Sequence, residues 1–290
     1  MLRFKSILFV AVPEADDAAA FERTVRLAES HQAHLTVVDL RPTEPGQAGP
    51  AVGGVSPATL REALAEAGRE ALQPYADAVA DRVELHTETL FGVGFVEVIR
   101  SVLRRRHDLV VKAAHGRGTG RRASLGSLDM HLLRKCPVPL WIARPSRERS
   151  YRRVLAAVDV DREHESSEDD SLNRRILEAA ASQALADFAE LHVVHAWQPA
   201  YEGILRTRSV FAREEDARAY VEAERQRHQR SLDQLGERLP AWIGAEAHDY
   251  LAPRLHLRQG AADEVIPAFI EDRGADLLAM GTVGRTGIAG

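Results

Sequence analysis

Short, continuous apolar runs alternate with longer amphipathic segments along the chain. Continuous apolar runs, as opposed to alternating ones, are typical of parallel strands that are covered on both faces. The first half therefore predicts a doubly wound α/β domain with a five-stranded parallel sheet. Its predicted strands are Ile7–Val12, Leu35–Leu40, Val83–Thr89, Leu109–Ala113 and Pro139–Ala143. Its predicted helices run from Asp16 or Asp17 to His31, from Ser56-Pro57 to Ala80, from Val93 to Arg105 and from Ser127 to Arg134. Asp16 or Asp17 is expected to cap the first of these helices.

The second half repeats the pattern of the first. RVLAAVDVD (153–161) corresponds to SILFVAVPE (6–14), and ADLLAMGTVGRTGI (275–288) corresponds to HDLVVKAAHGRGTG (107–120). Internal self-similarity of this kind indicates two copies of one fold. We predict tandem domains over residues 1–145 and 152–290, which are joined by the polar stretch 144–152.

Three features set the second half apart. An acidic insertion covers residues 162–171, and the charged segment Phe211–Arg238 predicts a helix with a largely solvated surface. Only six residues follow Gly284, so the C-terminal helix and strand of the second domain are expected to be missing. A sheet that ends after four strands exposes an apolar edge, which favours self-association as a homodimer.

Composition and charge narrow the function classes. The net charge of −5 provides no general attraction to nucleic acid. The single cysteine, Cys136, excludes an intramolecular disulfide and a CxxC zinc site, and it is interpreted as a small buried residue. No apolar run approaches the ~18 residues of a membrane helix, so a cytoplasmic protein with no membrane partner is predicted.

A glycine pattern follows the fourth strand of each half. In the first half, nine residues separate Gly116 from Gly126-Ser127, and in the second half Gly281 and Gly284 follow the strand. Glycine lets the backbone approach a ligand closely, and the start of a helix offers N–H groups to an anion. The pattern predicts a phosphate site, although a glycine after a strand is more often only a turn.

This pattern, Gly-x2-Gly-x9-Gly-[Ser/Thr], resembles the ATP-binding motif of the universal stress protein family. The resemblance covers almost the whole chain, once per half. ATP-binding members carry an Asp at the end of the first strand that contacts the adenine, and Asp159 occupies that position. The first half has Val12 there, and it has Ala113 where the motif has glycine. The resemblance implies ATP as the candidate cofactor and the following binding residues: Asp159, Gly281, Gly284, Gly116, Gly126 and Ser127.

The resemblance implies a stress-response protein that binds a nucleotide or another small ligand and acts as a regulatory module, not as an enzyme. Single-domain relatives pair as dimers, so the two halves are expected to form an intrachain pseudo-dimer. One alternative is a scaffold or apolar-ligand protein with degenerate motifs, and another is a slow ATP hydrolase. Asp159 could also simply cap the helix that follows it.

Other chemistries are disfavoured by spacing. The chain contains no GxxxxGK[ST] phosphate loop and no GxSxG elbow. His192 and His195 are three residues apart on a predicted strand, so they should point to opposite faces of the sheet. No metal site is therefore predicted.

Overall fold

In the computed structural model the chain forms two compact units, one from Arg3 to Arg149 and the other from Ser150 to Gly290. The structure describes residues 3–12, 17–41, 57–79, 82–115, 125–144, 150–160, 167–199 and 214–282. Within these residues, no helix has the length and apolar character that crossing a membrane requires.

The first unit alternates strands and helices. All its strand pairs are parallel, and the order across the sheet is β3-β2-β1-β4-β5. The predicted five-stranded parallel sheet is confirmed. Its elements are β1 (Ser6–Val10), α1 (Ala18–His31), β2 (His34–Arg41), α2 (Pro57–Val79), β3 (Leu85–Phe91), α3 (Gly94–Arg105), β4 (Leu109–Ala113), α4 (Ser127–Lys135) and β5 (Leu140–Ala143).

The second unit follows the same plan with a shorter sheet. Its four described strands are parallel and lie in the order β8-β7-β6-β9. This order matches the first unit without a counterpart of β5, as the sequence predicts. Its elements are β6 (Arg153–Ala157), α5 (Ser167–Asp187), β7 (Glu190–Trp197), α6 (Glu214–Ile243), α7 (Ala245–Leu251), β8 (Arg254–Gln259), α8 (Ala262–Arg273) and β9 (Leu277–Met280).

Strand β1 shows why the strands are apolar on both faces. Leu8 and Val10 belong to a buried cluster with residues of α3 and α4, such as Val98 and Leu132. Phe9, between them, points to the other face, where its ring centroid lies 5.1 Å from that of Phe21 in α1. Because successive side chains alternate between two covered faces, an apolar residue is favoured at every position.

The repeat extends to the hydrogen bonds that close each sheet. Asp108, just before β4, accepts the backbone N–H groups of Lys5 and Ser6 at 2.7 and 3.1 Å. Asp276, just before β9, accepts those of Arg152 and Arg153 at 2.8 and 3.0 Å. In both units one carboxylate therefore joins the start of the first strand to the start of the strand beside it.

The structure refines three local predictions. Helix α6 is exposed over most of its described surface, as predicted, but its C-terminal half also buries Leu232, Leu235 and Leu239. Helix α5 begins at Ser167, inside the segment interpreted as an acidic insertion. Asp17 precedes α1 but makes no side-chain cap to it, since its carboxylate is engaged elsewhere. Helix α7 has no counterpart among the predicted elements.

The equivalent helices α3 and α8 provide a matched test of the repeat. Both end in a left-handed residue, Arg106 at φ 57° and Gly274 at φ 61°. A side chain disfavours this conformation, so Arg106→Gly should stabilise the first unit by about 0.5–1 kcal/mol. Gly274→Ala should destabilise the second unit by about 1 kcal/mol for the same reason. Peptide-resolved hydrogen exchange of the intact chain measures the stability of each unit separately. If both substitutions changed the free energy of unfolding in the same direction, the two helix ends would not be equivalent.

Candidate ligand-binding site

The strand order places the candidate sites at one end of each sheet. Strand β1 lies between β2 and β4, and β6 lies between β7 and β9, so the chain turns in opposite directions on the two sides of these strands. In open parallel sheets, ligands bind in the crevice beyond the carboxyl ends of the strands at such a point. The segments that follow β1 and β4, and those that follow β6 and β9, are therefore the candidate sites.

In the second unit, an exposed acidic residue lies at this point. Asp159 follows β6 by two residues, and its main chain is held by the side chain of Asn173 from α5. Asn173 Oδ1 accepts the N–H of Asp159 at 3.2 Å, and Asn173 Nδ2 donates to its carbonyl oxygen at 2.6 Å. Asn173 is itself buried. The position of Asp159 is therefore fixed through its backbone, eight residues before the described start of α5 at Ser167.

Gly281 lies at the same end of the sheet as Asp159. It directly follows β9, whose last residue, Met280, is in register with Ala157 at the end of β6. The fold thus brings together two of the predicted binding residues of the second unit. Gly284, the third, lies outside the described residues.

In the first unit, the end of β1 is closed by an internal hydrogen-bond network. The N–H of Val12, the counterpart of Asp159, donates to Asp17 Oδ2 at 2.9 Å. Tyr75 Oη, from α2, donates to both carboxylate oxygens of Asp17, at 2.9 and 2.8 Å. Asp17 is only 5% exposed, so the carboxylate at this strand end is buried, whereas Asp159 in the second unit is exposed.

The end of β4 carries a buried ion pair. Lys112 Nζ lies 2.8 Å from Asp129 Oδ1 of α4, and it also donates to the carbonyl oxygen of Ala113 at 2.8 Å. Asp129 Oδ2 accepts the N–H groups of His115 and Gly126, each at 3.2 Å. Lys112 is 1% exposed and Asp129 is fully buried. Both charges can be buried because each is paired and hydrogen-bonded.

This arrangement changes the interpretation of the glycine motif in the first unit. The N–H of Gly126 was expected to be available to a ligand, but in the structure it donates to Asp129. A Cβ at Gly126 would lie 2.2 Å from the carbonyl oxygen of His115, so the glycine is required by close backbone approach. Ser127 is the exposed first residue of α4. Gly116 lies outside the described residues.

Lys112 and Asp129 were missed from the sequence, although a signal was present. A lysine in the middle of the apolar run LVVKA requires a partner if the strand is buried on both faces. The pattern identifies neither that partner nor the elements from which it comes. Only the packing of α4 against the end of the sheet brings the two residues together.

The histidines of the second unit form two separate pairs. His192 Nδ1 lies 2.9 Å from His256 Nε2 of β8, and His195 Nε2 lies 3.0 Å from His228 Nδ1 of α6. His192 and His195 thus have different neighbours on opposite faces of β7, as their spacing predicts. Among the described residues, no cluster of three or more His, Cys, Asp or Glu side chains is arranged to bind a metal ion.

Burial shifts the pKa of a histidine in the second unit and that of the cysteine in the first unit. The pKa of His256 is lowered to about 4, mainly because the ring is partly buried. The nearby His192 and three arginines lower it further, since they disfavour a second positive charge. Burial raises the pKa of the partly buried Cys136 thiol, which disfavours a reactive thiolate. The sequence predicted a buried cysteine, but Cys136 is only partly buried. It packs against the core cluster beneath α3 and α4.

Comparison with known proteins identifies the family. The model of the universal stress protein family matches residues 3–144 and again residues 150–290. The chain belongs to the universal stress protein family. The resemblance inferred from the glycine motif is thus confirmed, and each compact unit contains one family domain.

Two relatives match nearly the whole of this chain and most of their own length. A universal stress protein E homologue of Haemophilus influenzae is 27% identical over 99% of this chain and 91% of its own length. Universal stress protein E of Salmonella typhi is 27% identical over 100% of this chain and 88% of its own length. These relatives indicate a shared architecture.

Solved universal stress protein structures support the same fold. One from Pseudomonas aeruginosa covers 99% of this chain and 85% of its own, with a TM-score of 0.62 and 24% sequence identity. Another, from Archaeoglobus fulgidus, covers 98% of this chain and 91% of its own, with a TM-score of 0.61 and 16% identity. At these identities the comparison establishes the fold alone.

We predict that Asn173→Ala destabilises the second unit by about 1–3 kcal/mol, because the two hydrogen bonds from Asn173 to the main chain of residue 159 are lost. Peptide-resolved hydrogen exchange should report the loss in β6 and α5. Arg175→Ala is the control on the same helix, since Arg175 is exposed and a surface change should stay within about 0.5 kcal/mol. Equal effects of the two substitutions would show that Asn173 does not fix the strand end.

The pKa of His256 predicts how stability depends on pH. Its folded-state pKa, about 4, lies below the usual value of 6.5, so the unfolded chain takes up the proton first as the pH falls. The stability that the neutral histidine contributes above pH 6.5 should be lost as the pH falls through 4. Exchange measured between pH 7 and 4 should show a smaller loss in second-unit stability for His256→Gln than for the unchanged chain. An identical loss would contradict the assignment.

Proposed function

We propose that this universal stress protein is a non-enzymatic, cytoplasmic regulatory protein that binds ATP or a closely similar nucleotide in its second unit. The position of Asp159 carries the proposal. Its carboxylate is attached to a main chain that Asn173 holds in place, at the point of the sheet where parallel α/β folds bind ligands. The other predicted contacts come after β9, the strand next to β6: Gly281 follows it directly, and Gly284 is three residues further along the sequence.

The chemistry of Asp159 suits the base of the nucleotide. Adenine has an exocyclic amine that donates hydrogen bonds, and a carboxylate only accepts them. Val12, the counterpart in the first unit, has no side-chain acceptor. The nearest carboxylate there, on Asp17, is buried and accepts hydrogen bonds from Val12 and Tyr75.

The glycines suit the phosphates. In the second unit, Gly281 begins the segment after β9, where a main chain without a side chain can approach a phosphate group. In the first unit, Gly126 and Ser127 lie at the equivalent end of the sheet, but the Gly126 N–H donates to Asp129. We therefore propose that a nucleotide binds more tightly in the second unit than at Gly116, Gly126 and Ser127.

The regulatory role follows from what a bound nucleotide would do here. A ligand between the ends of β6 and β9 would contact two segments that are far apart in sequence. It stabilises the conformation that it binds, by an amount that depends on its concentration and affinity. Such a protein reports the nucleotide level through its conformation or its partners, and no chemical step is required.

The test is ATP binding by isothermal titration to the chain and to its Asp159→Ala variant. We expect the variant to bind about ten- to a hundredfold more weakly, because an adenine amine without its acceptor loses about 1–3 kcal/mol. Val12→Ala is the matched control in the first unit, and it should leave the affinity unchanged.

Three results would contradict all or part of the proposal. Equal ATP affinity of the chain and the Asp159→Ala variant would show that the adenine does not bind at Asp159. A loss of affinity in the Val12→Ala variant alone would place the nucleotide in the first unit. Phosphate release at a steady rate during the titration would favour the hydrolase alternative over a purely regulatory role.

A further inference from the structure

We infer that in the first unit the carboxylate of Asp129 occupies the place that a ligand's phosphate would take, with Lys112 as its counter-ion. This unit would therefore be closed by its own side chains and would not bind a nucleotide at its glycine motif. The inference rests on the proposed function in one respect, namely that the ligand of this fold carries phosphate.

The donors that surround Asp129 are those of an anion site. One ammonium group, Lys112 Nζ, lies 2.8 Å from one carboxylate oxygen, and two main-chain N–H groups donate to the other at 3.2 Å. One of these N–H groups is that of Gly126, immediately before the first turn of α4. Main-chain N–H groups at a helix start, together with a lysine, are a common way to bind a phosphate group.

The same carboxylate joins the two ends of the glycine motif. His115 follows β4, and Gly126 precedes α4, so the two N–H groups lie on either side of the intervening residues 116–125. A phosphate bound to the motif would need these donors. Because both already donate to Asp129, a phosphate has to displace the carboxylate or go without them.

The charges of Lys112 and Asp129 also disfavour a bound phosphate. Lys112 and Asp129 are buried, with side-chain exposures of 2% and 0%. The positive charge of Lys112 is therefore balanced by a negative charge inside the protein. A phosphate that arrived next to Asp129 would meet a like charge in a poorly solvated position, which is unfavourable.

A purely structural role is the competing explanation. On that view the pair only fastens α4 to β4, and removal of Asp129 weakens the unit without creating an affinity for anions. The two explanations differ in one observable. If Asp129 replaces a phosphate, then removing its carboxylate should create a site that inorganic phosphate can fill.

The experiment compares Asp129→Ala with the double variant Lys112→Met/Asp129→Ala, both in a chain that also carries Asp159→Ala. The third substitution removes the proposed adenine contact of the second unit. Each protein is titrated with inorganic phosphate, against sodium chloride at equal ionic strength. The readouts are the melting temperature and peptide-resolved hydrogen exchange over β4 and α4.

We expect the Asp129→Ala protein to melt at a lower temperature than its parent in chloride, and to regain stability saturably with phosphate. Its phosphate affinity should exceed that of the parent by at least ~10-fold. Protection should return in the peptides of β4 and α4. The double variant lacks the ammonium group, so phosphate should affect it no more than chloride does.

Loss of folding in the Asp129→Ala protein would also be informative. Refolding is then compared with phosphate and with chloride at equal ionic strength, and recovery of soluble protein only with phosphate supports the inference. Recovery that is equal in the two salts overturns it, as does a phosphate response of the double variant that matches that of the single variant.

Failure of this inference can be distinguished from failure of the proposed function. The proposed function fails if Asp159→Ala leaves the ATP affinity unchanged, and that measurement concerns the second unit. The phosphate response of Asp129→Ala is read from peptides of the first unit, and it does not require ATP to bind anywhere in the chain.

Discussion

Both sheets are parallel and lie beneath helices on both faces, and this constraint governs where polar chemistry can occur. Strands such as β1 and β6 have apolar residues pointing to both sides. A charged group inside such a layer must be paired, as Lys112 is with Asp129. In the central strands, polar groups that face solvent lie mainly at the strand ends. Any ligand site is therefore concentrated at the carboxyl edge, where the chain leaves one strand for the next helix.

The two units use this edge differently. In the first, carboxylates at the ends of β1 and β4 are buried, because Asp17 accepts hydrogen bonds from Val12 and Tyr75 and Asp129 pairs with Lys112. In the second, the amide of Asn173 satisfies the main chain of residue 159. An amide both donates and accepts, so it can serve an N–H and a carbonyl group together while the acidic side chain remains at the surface.

This difference gives a physical meaning to the duplication. Equivalent backbone features recur in both units, such as the carboxylates of Asp108 and Asp276 before their strands. The framework has therefore been kept, while the edge that could bind a ligand has diverged. In the first unit, the carboxylates at this edge are hydrogen-bonded within the protein. In the second unit, the carboxylate of Asp159 lies at the surface. Under the proposed function, the second unit binds the ligand, and the first unit keeps the same framework without that role.

The sequence by itself determined the fold class, the duplication and the order of the elements, because each depends on local periodicity and on residues close together in the chain. It also indicated Asp159 and Gly281, which follow strands that can be read directly. It could not indicate that Asp17 meets Tyr75, or that Lys112 meets Asp129, since these partners lie on different elements and are joined only by packing. Nor did it show that α6 buries an apolar face, because its many charges mask that face until α6 packs against the sheet. Tertiary structure alone decided which polar groups are satisfied within the protein, because burial, which makes pairing necessary, is a property of the folded chain.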